Sequence, residues 1–252
     1  MTMAVIALSL KMYFPRRRTV DYCRTLAGLL TERGIGDSGP TMAVLPDFLT
    51  LAEVQGILAP VNVRVGAQDM CADDRGAFTG EVSGSDLRDL GASVVELGHV
   101  ERRTLFHEDD GMVARKVRAA WRNGLTPLLC VGETEREGAT AAAERCLGQI
   151  ASAVGDDRES PLWVAYEPRW AIGASEPASA EYVREVCDRI KQSLGERPSA
   201  VLYGGSAGPG LLSRLWPSVD GLFLGRFAHD PHAFMSVVDE AIGLENGDSE
   251  NK

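Results

Sequence analysis

The chain has 252 residues, of which 44% are hydrophobic and 25% are charged, and its formal net charge is −10. This composition is ordinary for a globular protein, and the length allows either one large domain or two small ones. An acidic surface repels nucleic acid and anionic membranes, so we expect neither as a partner, and a phosphorylated metabolite would need a locally positive site.

The five cysteines are widely spaced, form no C-x-x-C pair and do not cluster with the four histidines. We therefore expect neither a metal site nor a disulfide framework, and reduced thiols favour a cytoplasmic location. The apolar run Met3–Leu8 is short and is followed by Lys11, and no window of about twenty apolar residues occurs. We accordingly expect no secretion signal and no membrane-spanning segment.

Short apolar runs recur along the chain and predict buried strands. They are continuous rather than alternating, which is typical of parallel strands buried on both faces. The predicted strands are Met3–Leu10, Thr41–Pro46, Val61–Gly66, Ser93–Gly98, Leu125–Val131, Pro161–Glu167, Pro198–Tyr203 and Val219–Gly225.

Amphipathic segments follow these runs. In Thr19–Glu32, for example, Cys23, Leu26 and Leu30 share one helical face. A long polar loop, Ala67–Gly80, follows the third strand. The predicted helices are Thr19–Glu32, Thr50–Leu58, Ser83–Leu90, Glu108–Asn123, Arg136–Val154, Ala178–Leu194, Pro209–Leu215 and Pro231–Ile242.

These segments make eight strand-then-helix units, each about thirty residues long, which is the size of a βα repeat. No G-x-G-x-x-G motif follows the first strand, which weakens the alternative of an open, doubly wound sheet. The repeats favour an α/β fold, a closed (β/α)8 barrel with a single domain over residues 1–244. Residues 245–252 form a polar tail that we expect to be disordered.

In such a barrel the active site lies at the C-terminal ends of the strands. Each polar residue there is weak evidence alone, since a single Glu at a strand end is most simply a solvated loop residue. Together they place a carboxylate, an imidazole, an ammonium group and two glycine-containing turns around one opening. The residues at the strand ends are Ser9, Lys11, His99, Glu101, Cys130, Glu133, Glu167, Gly204, Gly205, Ser206, Gly225 and Arg226.

This set of groups suits the removal of a proton from a carbon next to a carbonyl group. Glu167 would take the proton, while His99 and Lys11 would stabilise the charge that develops on the oxygen. Backbone N–H groups in the last two turns could hold a phosphate. The segment from Pro168 to Ala178 is flanked by prolines and could close as a lid over the site.

Six blocks of sequence appear in order and cover nearly the whole chain: Gly66–Met70, Gly76–Glu81, Glu96–Arg103, Cys130–Thr134, Ala165–Gly173 and Tyr203–Ser206. Together they resemble the signature blocks of the triosephosphate isomerase family. The resemblance implies a TIM barrel that interconverts dihydroxyacetone phosphate and glyceraldehyde 3-phosphate through an enediolate, in glycolysis and gluconeogenesis. It also implies that no metal and no organic cofactor is needed.

The resemblance further implies roles for single residues. Glu167 would be the base, His99 the electrophile, Lys11 the electrostatic anchor and Glu101 a supporting carboxylate. The pairing of a Glu base with a neutral His is the one known for triosephosphate isomerase. Thr79 matches the position that enters a partner subunit, so a homodimer is implied.

The resemblance also assigns substrate contacts and a lid. Ser9, Gly173, Ser206, Gly225 and Arg226 would contact the substrate or its phosphate. The lid would comprise Pro168, Arg169, Trp170, Ala171, Ile172, Gly173, Ala174, Ser175, Glu176, Pro177 and Ala178.

Four positions depart from the pattern of the family. Ser9 stands where Asn is usual, Val100 where Ser is usual, Arg226 where a second Gly is usual and Arg169 where an apolar residue is usual. The Gly-Arg turn resembles the branch of the family that acts on four-carbon sugar phosphates such as erythrulose 1-phosphate, and the short Ser9 could make room for one more hydroxymethyl group. Four alternatives therefore stay open: a triose isomerase, a four-carbon isomerase, a weakly active or non-catalytic sugar-phosphate binder and a barrel with different chemistry.

Overall fold

The structure, a computed structural model, describes residues 3–36, 39–172, 178–206 and 208–250. Eight parallel strands pair in chain order and close into a barrel, with the last strand hydrogen-bonded to the first. The prediction of a closed (β/α)8 barrel is confirmed. The strands are β1 Val5–Ser9, β2 Thr41–Leu45, β3 Val63–Ala67, β4 Val94–Leu97, β5 Thr126–Val131, β6 Leu162–Tyr166, β7 Ser199–Tyr203 and β8 Gly221–Leu224.

The alternation of side chains along each strand divides the core into two parts. On β1, Val5 and Ala7 face the barrel interior, where they join an apolar cluster that includes Phe223. Ile6 and Leu8 point the other way, into the larger cluster between the barrel and its helices. Because successive side chains in a strand point to opposite faces, the next inward residue of β1 is Ser9, at the C-terminal end of the barrel.

The helices surround the barrel. They are α1 Arg16–Glu32, α2 Leu51–Leu58, α3 Gly84–Asp89, α4 Val100–Leu105, α5 Asp110–Arg122, α6 Ala139–Val154, α7 Ala180–Leu194, α8 Leu211–Leu215 and α9 Pro231–Glu250. No helix among the described residues is long and apolar enough to cross a membrane.

The segment predicted as one helix, Glu108–Asn123, is preceded by a short helix that the sequence pattern did not predict. This helix, α4, begins directly after His99, and its six residues are too few for a helical period to be visible. The longer helix α5 begins at Asp110, where the carboxylate of Asp109 accepts a hydrogen bond from the Met112 N–H at 2.7 Å. The short helix carries His99 and Glu101 into the region of the strand ends.

The C-terminal helix is longer than predicted. Its backbone is helical through Glu250, whereas the sequence pattern predicted the helix to end at Ile242, and residues 251 and 252 lie outside the described part. The expected disorder of residues 245–252 stays a prediction. One reason for the longer helix is a contact between the two ends of the chain. The backbone N–H of Ala4 donates a hydrogen bond to Glu245 Oε1 at 2.6 Å, which ties the helix to the entry of β1.

A buried ion network stabilises the loop after β3. Lys116 Nζ contacts both oxygens of Asp69, at 2.7 and 2.8 Å, and Glu108 Oε1 at 2.6 Å. Arg102 Nη2 lies 2.6 Å from Glu108 Oε1 and 2.8 Å from Asp69 Oδ2. We refer to these four residues as the structural ion cluster.

Candidate active site

A cavity of about 500 Å³ lies at the C-terminal end of the barrel. It brings together polar groups from the ends of several strands, as the sequence predicted. The described residues that line it are Ser9, Lys11, Tyr13, Glu101, Glu167, Ile172, Gly204, Gly205, Ser206, Phe223, Leu224, Gly225, Arg226 and Phe227.

Glu167 follows β6 directly and is held there by its neighbours. Its N–H donates to the carbonyl of Val131 at 2.8 Å, which continues the pairing of β6 with β5 beyond the last strand residue. A Cβ added to Gly204 would lie 2.6 Å from Glu167 Cγ, and one added to Gly132 would lie 2.1 Å from the Glu167 carbonyl oxygen. Both positions therefore need glycine, because any side chain would displace Glu167.

The carboxyl group of Glu167 is buried, with 9% of the residue exposed. Burial and the negative charge of Glu96 raise its pKa to about 8, against the lowering effects of Lys11 and of a hydrogen bond with Cys130. A carboxylate with a raised pKa is a stronger proton acceptor once it is ionised. This environment is suited to a general base.

His99 is oriented by the first turn of α4. Its Nδ1 accepts a hydrogen bond from the Glu101 N–H at 3.1 Å, so a neutral imidazole carries its hydrogen on Nε2. Burial and the charge of Lys11 lower the pKa of His99 to about 4, and the ring is therefore neutral near pH 7. Nε2 lies 3.4 Å from Glu167 Oε2.

The facing atoms of these two residues are not satisfied by the protein. His99 Nε2 and Glu167 Oε2 are both buried and have no hydrogen-bond partner in the structure. Buried polar atoms are nearly always paired, so an unpaired donor beside an unpaired acceptor indicates a place where a ligand completes the bonding. A carbonyl oxygen would suit the His99 donor, and an acidic C–H would suit the Glu167 acceptor.

Lys11 follows β1 in a left-handed backbone conformation, with φ of 49°, that is uncommon for a residue with a side chain. Gln68 supports this turn, since its Nε2 donates to the carbonyls of Lys11 and Leu45 at 3.1 and 2.9 Å. Lys11 Nζ contacts Glu101 Oε1 at 3.0 Å. Burial opposes the charge of Lys11, but the hydrogen bond with Glu101 and the charges of Glu167 and Glu101 outweigh it and raise the pKa of Lys11.

The turns after β7 and β8 form the other side of the cavity. Ser206 and Arg226 are exposed there, and Gly225 lies between β8 and a short 3-10 turn, Arg226–His229. Arg226 and Lys11 are the cationic side chains among the described lining residues. Gly173, the remaining predicted phosphate contact, lies outside the described residues.

The described part of the lid segment begins with a buried Pro168 and a 3-10 turn, Arg169–Ala171. Glu133 lies beneath this turn rather than in the opening, where the order of the strand ends had placed it. Its Oε1 accepts hydrogen bonds from Trp170 Nε1 at 2.7 Å, Tyr182 Oη at 2.9 Å and Tyr166 Oη at 3.1 Å. Glu133 therefore anchors the start of the predicted lid.

Other parts of the predicted lid and the predicted dimer loop can be placed more briefly. Ile172 lines the cavity, Ala178 is half-buried before α7, and Ala174, Ser175, Glu176 and Pro177 lie outside the described residues. Thr79 is exposed on the loop after β3. Within the described residues, no group of three or more His, Cys, Asp or Glu side chains could hold a metal ion.

Two of the departures from the family pattern share a second cavity. Val100 and Arg169 both line a space of about 220 Å³ on the side of Glu167 that faces β5. This neighbouring cavity also reaches Gly132, so Glu167 has open space on two sides.

The residue that sequence reasoning missed is Glu96. It lies within β4, is only 3% exposed, and accepts a hydrogen bond from Ser9 Oγ to its Oε2 at 2.8 Å. Burial raises the pKa of Glu96 to about 7, against the lowering effects of Ser9 and Lys11. A signal was present in the sequence, because a charged residue interrupts an otherwise apolar strand in phase with the inward-facing Val94.

Comparisons with known proteins agree with this geometry. The family model described as triosephosphate isomerase matches residues 4–241. The chain belongs to the triosephosphate isomerase family. The match to this family and to its named isomerases shows that the protein is a sugar-phosphate isomerase that works without a cofactor.

Named relatives within the family fall into two groups. The chain is 48% identical over 250 residues to the L-erythrulose-1-phosphate isomerase of Pectobacterium atrosepticum, covering 96% of each chain. It is 37% identical to the triosephosphate isomerase of Synechococcus, covering 93% of this chain and 96% of that one. The crystal structure of triosephosphate isomerase from Bartonella henselae superposes with a TM-score of 0.81 at 30% identity, covering 94% and 98% of the two chains.

Proposed function

We propose that this enzyme isomerises a four-carbon ketose phosphate, L-erythrulose 1-phosphate. The observation that carries the proposal is the 48% identity, over nearly the full length, to a relative of that name. The cavity supports it, because the short side chain of Ser9 forms part of the floor where the family usually has a longer amide. That difference leaves space beside the reacting carbons for one more hydroxymethyl group.

The proposed mechanism assigns each step to a group of the cavity. The phosphate binds near Ser206, Gly225 and Arg226, while the carbonyl oxygen lies between His99 Nε2 and Lys11 Nζ. Glu167 removes the proton from the adjacent carbon, and the C–H electron pair forms an enediolate whose negative charge His99 and Lys11 stabilise. His99 Nε2 gives its hydrogen to the former carbonyl oxygen and takes the hydroxyl hydrogen of the neighbouring oxygen, and Glu167 returns its proton to the former carbonyl carbon, so that the second oxygen becomes the new carbonyl.

This chemistry implies a particular product. In dihydroxyacetone phosphate the reacting carbon carries two hydrogens, and its isomerisation gives an aldehyde. In erythrulose 1-phosphate a hydroxymethyl group replaces one of those hydrogens. The same proton transfer therefore moves the carbonyl group to an internal carbon and gives a second ketose phosphate, erythrulose 4-phosphate.

The paired substrate assay tests this proposal. We would follow L-erythrulose 1-phosphate and glyceraldehyde 3-phosphate separately by NMR, since a coupled assay that detects an aldehyde product would miss a ketose. We expect kcat/KM to be at least about tenfold higher for the four-carbon substrate, the size of effect that one carbon group in a pocket provides. A preference for the triose would contradict the proposal and restore the roles in glycolysis and gluconeogenesis.

The non-catalytic alternative is tested in the same samples. In heavy water, a working base exchanges the carbon-bound hydrogen of the substrate with deuterium. If neither substrate shows exchange above the rate without enzyme, while both bind, the protein is a sugar-phosphate binder.

We also propose that the enzyme is a cytoplasmic homodimer. Thr79 lies on an exposed loop next to Phe78, which is 44% exposed, and Met12, beside Lys11, is 94% exposed. Apolar side chains exposed around the site favour an interface there. Sedimentation of the wild type and of a Phe78→Glu variant tests this: we expect a dimer that the substitution dissociates, and a monomeric wild type would contradict it.

A further inference from the structure

The Ser9–Glu96 hydrogen bond crosses the interior of the barrel. Ser9 ends β1 and Glu96 lies on β4, so neither strand is a neighbour of the other in the sheet. Their side chains nevertheless meet at 2.8 Å beneath the cavity. The surrounding interior positions are apolar, and Ala7, Val94 and Leu128 belong to one hydrophobic cluster. A carboxyl group here needs an explanation, because burying it without a cation is unfavourable.

No lysine or arginine among the described residues forms an ion pair with Glu96, whose hydrogen-bond partner is Ser9. Charged and titratable groups face it or Glu167 from every neighbouring strand end. These groups are Lys11 after β1, Asp69 after β3, His99 and Glu101 after β4, and Cys130 on β5. Arg103 and Arg169 line the neighbouring cavity beside Glu167. Asp69 is paired within the structural ion cluster and Lys11 is paired with Glu101, so Glu96 and Glu167 have no cation in an ion pair among the described residues.

The two buried acids consequently interact with each other. Glu96 has a pKa raised to about 7 and Glu167 one raised to about 8, and in Glu167 the charge of Glu96 is the next cause after burial. Two interacting acids in a site of low dielectric constant do not both ionise readily, because the second charge is repelled by the first. The ionisation of one acid therefore affects the other.

We propose that Glu96 is a positioning residue of the reaction, which orients the Ser9 hydroxyl at the floor of the cavity and acts by its charge on the base Glu167. This inference rests on the proposed function, in which Glu167 is the base. Glu96 does not line the cavity and does not touch the substrate. It works through the two residues above it.

The chemistry of the hydroxyl group explains how Ser9 takes part. A hydroxyl has one hydrogen to donate and can accept in return. When Glu96 is ionised, Ser9 donates its hydrogen downward and presents only lone pairs to the substrate. When Glu96 holds a proton, it donates to Ser9 Oγ, and the Ser9 hydrogen is released to a substrate oxygen.

The variant Glu96→Gln tests the proposal, since it keeps the shape and a donor for Ser9 but removes the charge. We expect the acid limb of the kcat/KM profile, which reports the ionisation of Glu167, to move to lower pH by about one unit. Glu96→Asp keeps the charge and should leave the limb near its wild-type position. Ser9→Ala should lower kcat/KM about tenfold while moving the limb less than Glu96→Gln does.

A matched control is Glu137→Gln, which removes a half-buried carboxylate that is paired with Arg145 outside the cavity. Its pH profile should equal that of the wild type. An unchanged acid limb in a folded Glu96→Gln variant would overturn the proposal, as would an equal shift in the control.

A second readout does not require turnover. The carboxyl carbons of glutamate can be titrated by NMR in labelled protein, with the Glu167 signal assigned by its loss in Glu167→Gln. We expect this titration to move to lower pH in Glu96→Gln and not in the control. If neither substrate is turned over, the proposed function fails, while this titration still tests whether the charge of Glu96 raises the pKa of Glu167.

If Glu96→Gln does not fold, the titration curves of the wild-type protein test the proposal instead. The signals of Glu96 and Glu167 should each show two steps, and two independent single-step curves would overturn the proposal.

Discussion

Two sets of buried acidic side chains in this barrel differ in whether cations compensate their charge. In the structural ion cluster, both carboxylates contact cations at 2.8 Å or less. In the active site, neither Glu96 nor Glu167 forms an ion pair with a lysine or arginine among the described residues. The first set compensates its buried charges, whereas the second leaves two acids without a paired cation, as the proposed proton transfer requires.

The pKa of Glu108 expresses the same difference, although burial raises the pKa of Asp69 even in the structural ion cluster, against the lowering effect of Lys116. Burial opposes the ionisation of Glu108, but hydrogen bonds from Lys116 and Arg102 outweigh it and lower its pKa. Glu167 experiences the same penalty with weaker compensation, and its pKa rises to about 8. A fully paired carboxylate is a poor base, whereas an under-compensated one has the higher proton affinity that the proposed role of Glu167 needs.

The largest effect is expected for Glu167→Gln. Removal of the base should lower kcat by about 10³-fold, the range typical of general acid–base catalysis. Binding of inorganic phosphate, measured by calorimetry, should change little because the phosphate turns are untouched. Equal losses in turnover and in phosphate binding would show that Glu167 is not the base.

The next effect distinguishes the two sets of charges. Lys116→Met leaves Asp69 and Glu108 buried with less compensation and should lower the free energy of unfolding by about 3 to 5 kcal/mol. The matched variant Lys11→Met should abolish most activity and change stability much less, since Lys11 is half-exposed. Denaturant unfolding and enzyme kinetics of both variants check this contrast. A stability loss in Lys11→Met as large as that in Lys116→Met would contradict it.

A smaller effect concerns the dependence of stability on pH. The pKa of Glu96 is raised from 4.5 to about 7 on folding, so the folded state binds more protons than the unfolded state between these values. Stability from this group is therefore present below pH 4.5 and is lost as the pH rises to 7, by about 3 kcal/mol in total.

Glu96→Gln should remove this slope. The measurement is the difference in unfolding free energy between variant and wild type across this range, which cancels the opposing contribution of His99. A difference that does not grow with pH would mean that Glu96 is not protonated on folding.

The smallest effect involves Glu133, a further buried carboxylate, whose hydrogen-bond partners are neutral donors. Tyr182→Phe removes one of its three hydrogen bonds and should lower the unfolding free energy by about 1 kcal/mol. The acid limb of the activity profile should stay in place. A shift of that limb would place Glu133 with the catalytic acids rather than with the anchors of the lid.

Much of the site was predictable because barrel geometry is simple. Once eight strands are recognised, their C-terminal ends must meet, and Ser9, Lys11, His99 and Glu167 come together whatever the loops do. The glycines beside Glu167 are likewise visible in the sequence, although their need for space is visible only in the structure.

The other features of the site could not be predicted from the strand ends alone, because they depend on the direction of side chains within the strands and on partners that are distant in the chain. Glu133 and Glu96 were misjudged or missed because only the strand ends were considered. Alternation along β5 and β4, with Cys130 and Val94 facing inward, indicates an outward Glu133 and an inward Glu96. The partner of Glu96 is Ser9, 87 residues earlier, and only closure of the barrel brings them together. The helix α4 was too short to show a period.

The position of Glu96 has a consequence for engineering. Libraries that alter the substrate range of an enzyme are usually built from the residues that line the pocket, and such a library here would include Ser9 but not Glu96. Each new residue at position 9 would then be tested only beside an unchanged Glu96, which pairs best with a hydroxyl group. Varying positions 9 and 96 together would reach combinations that single-site selection cannot.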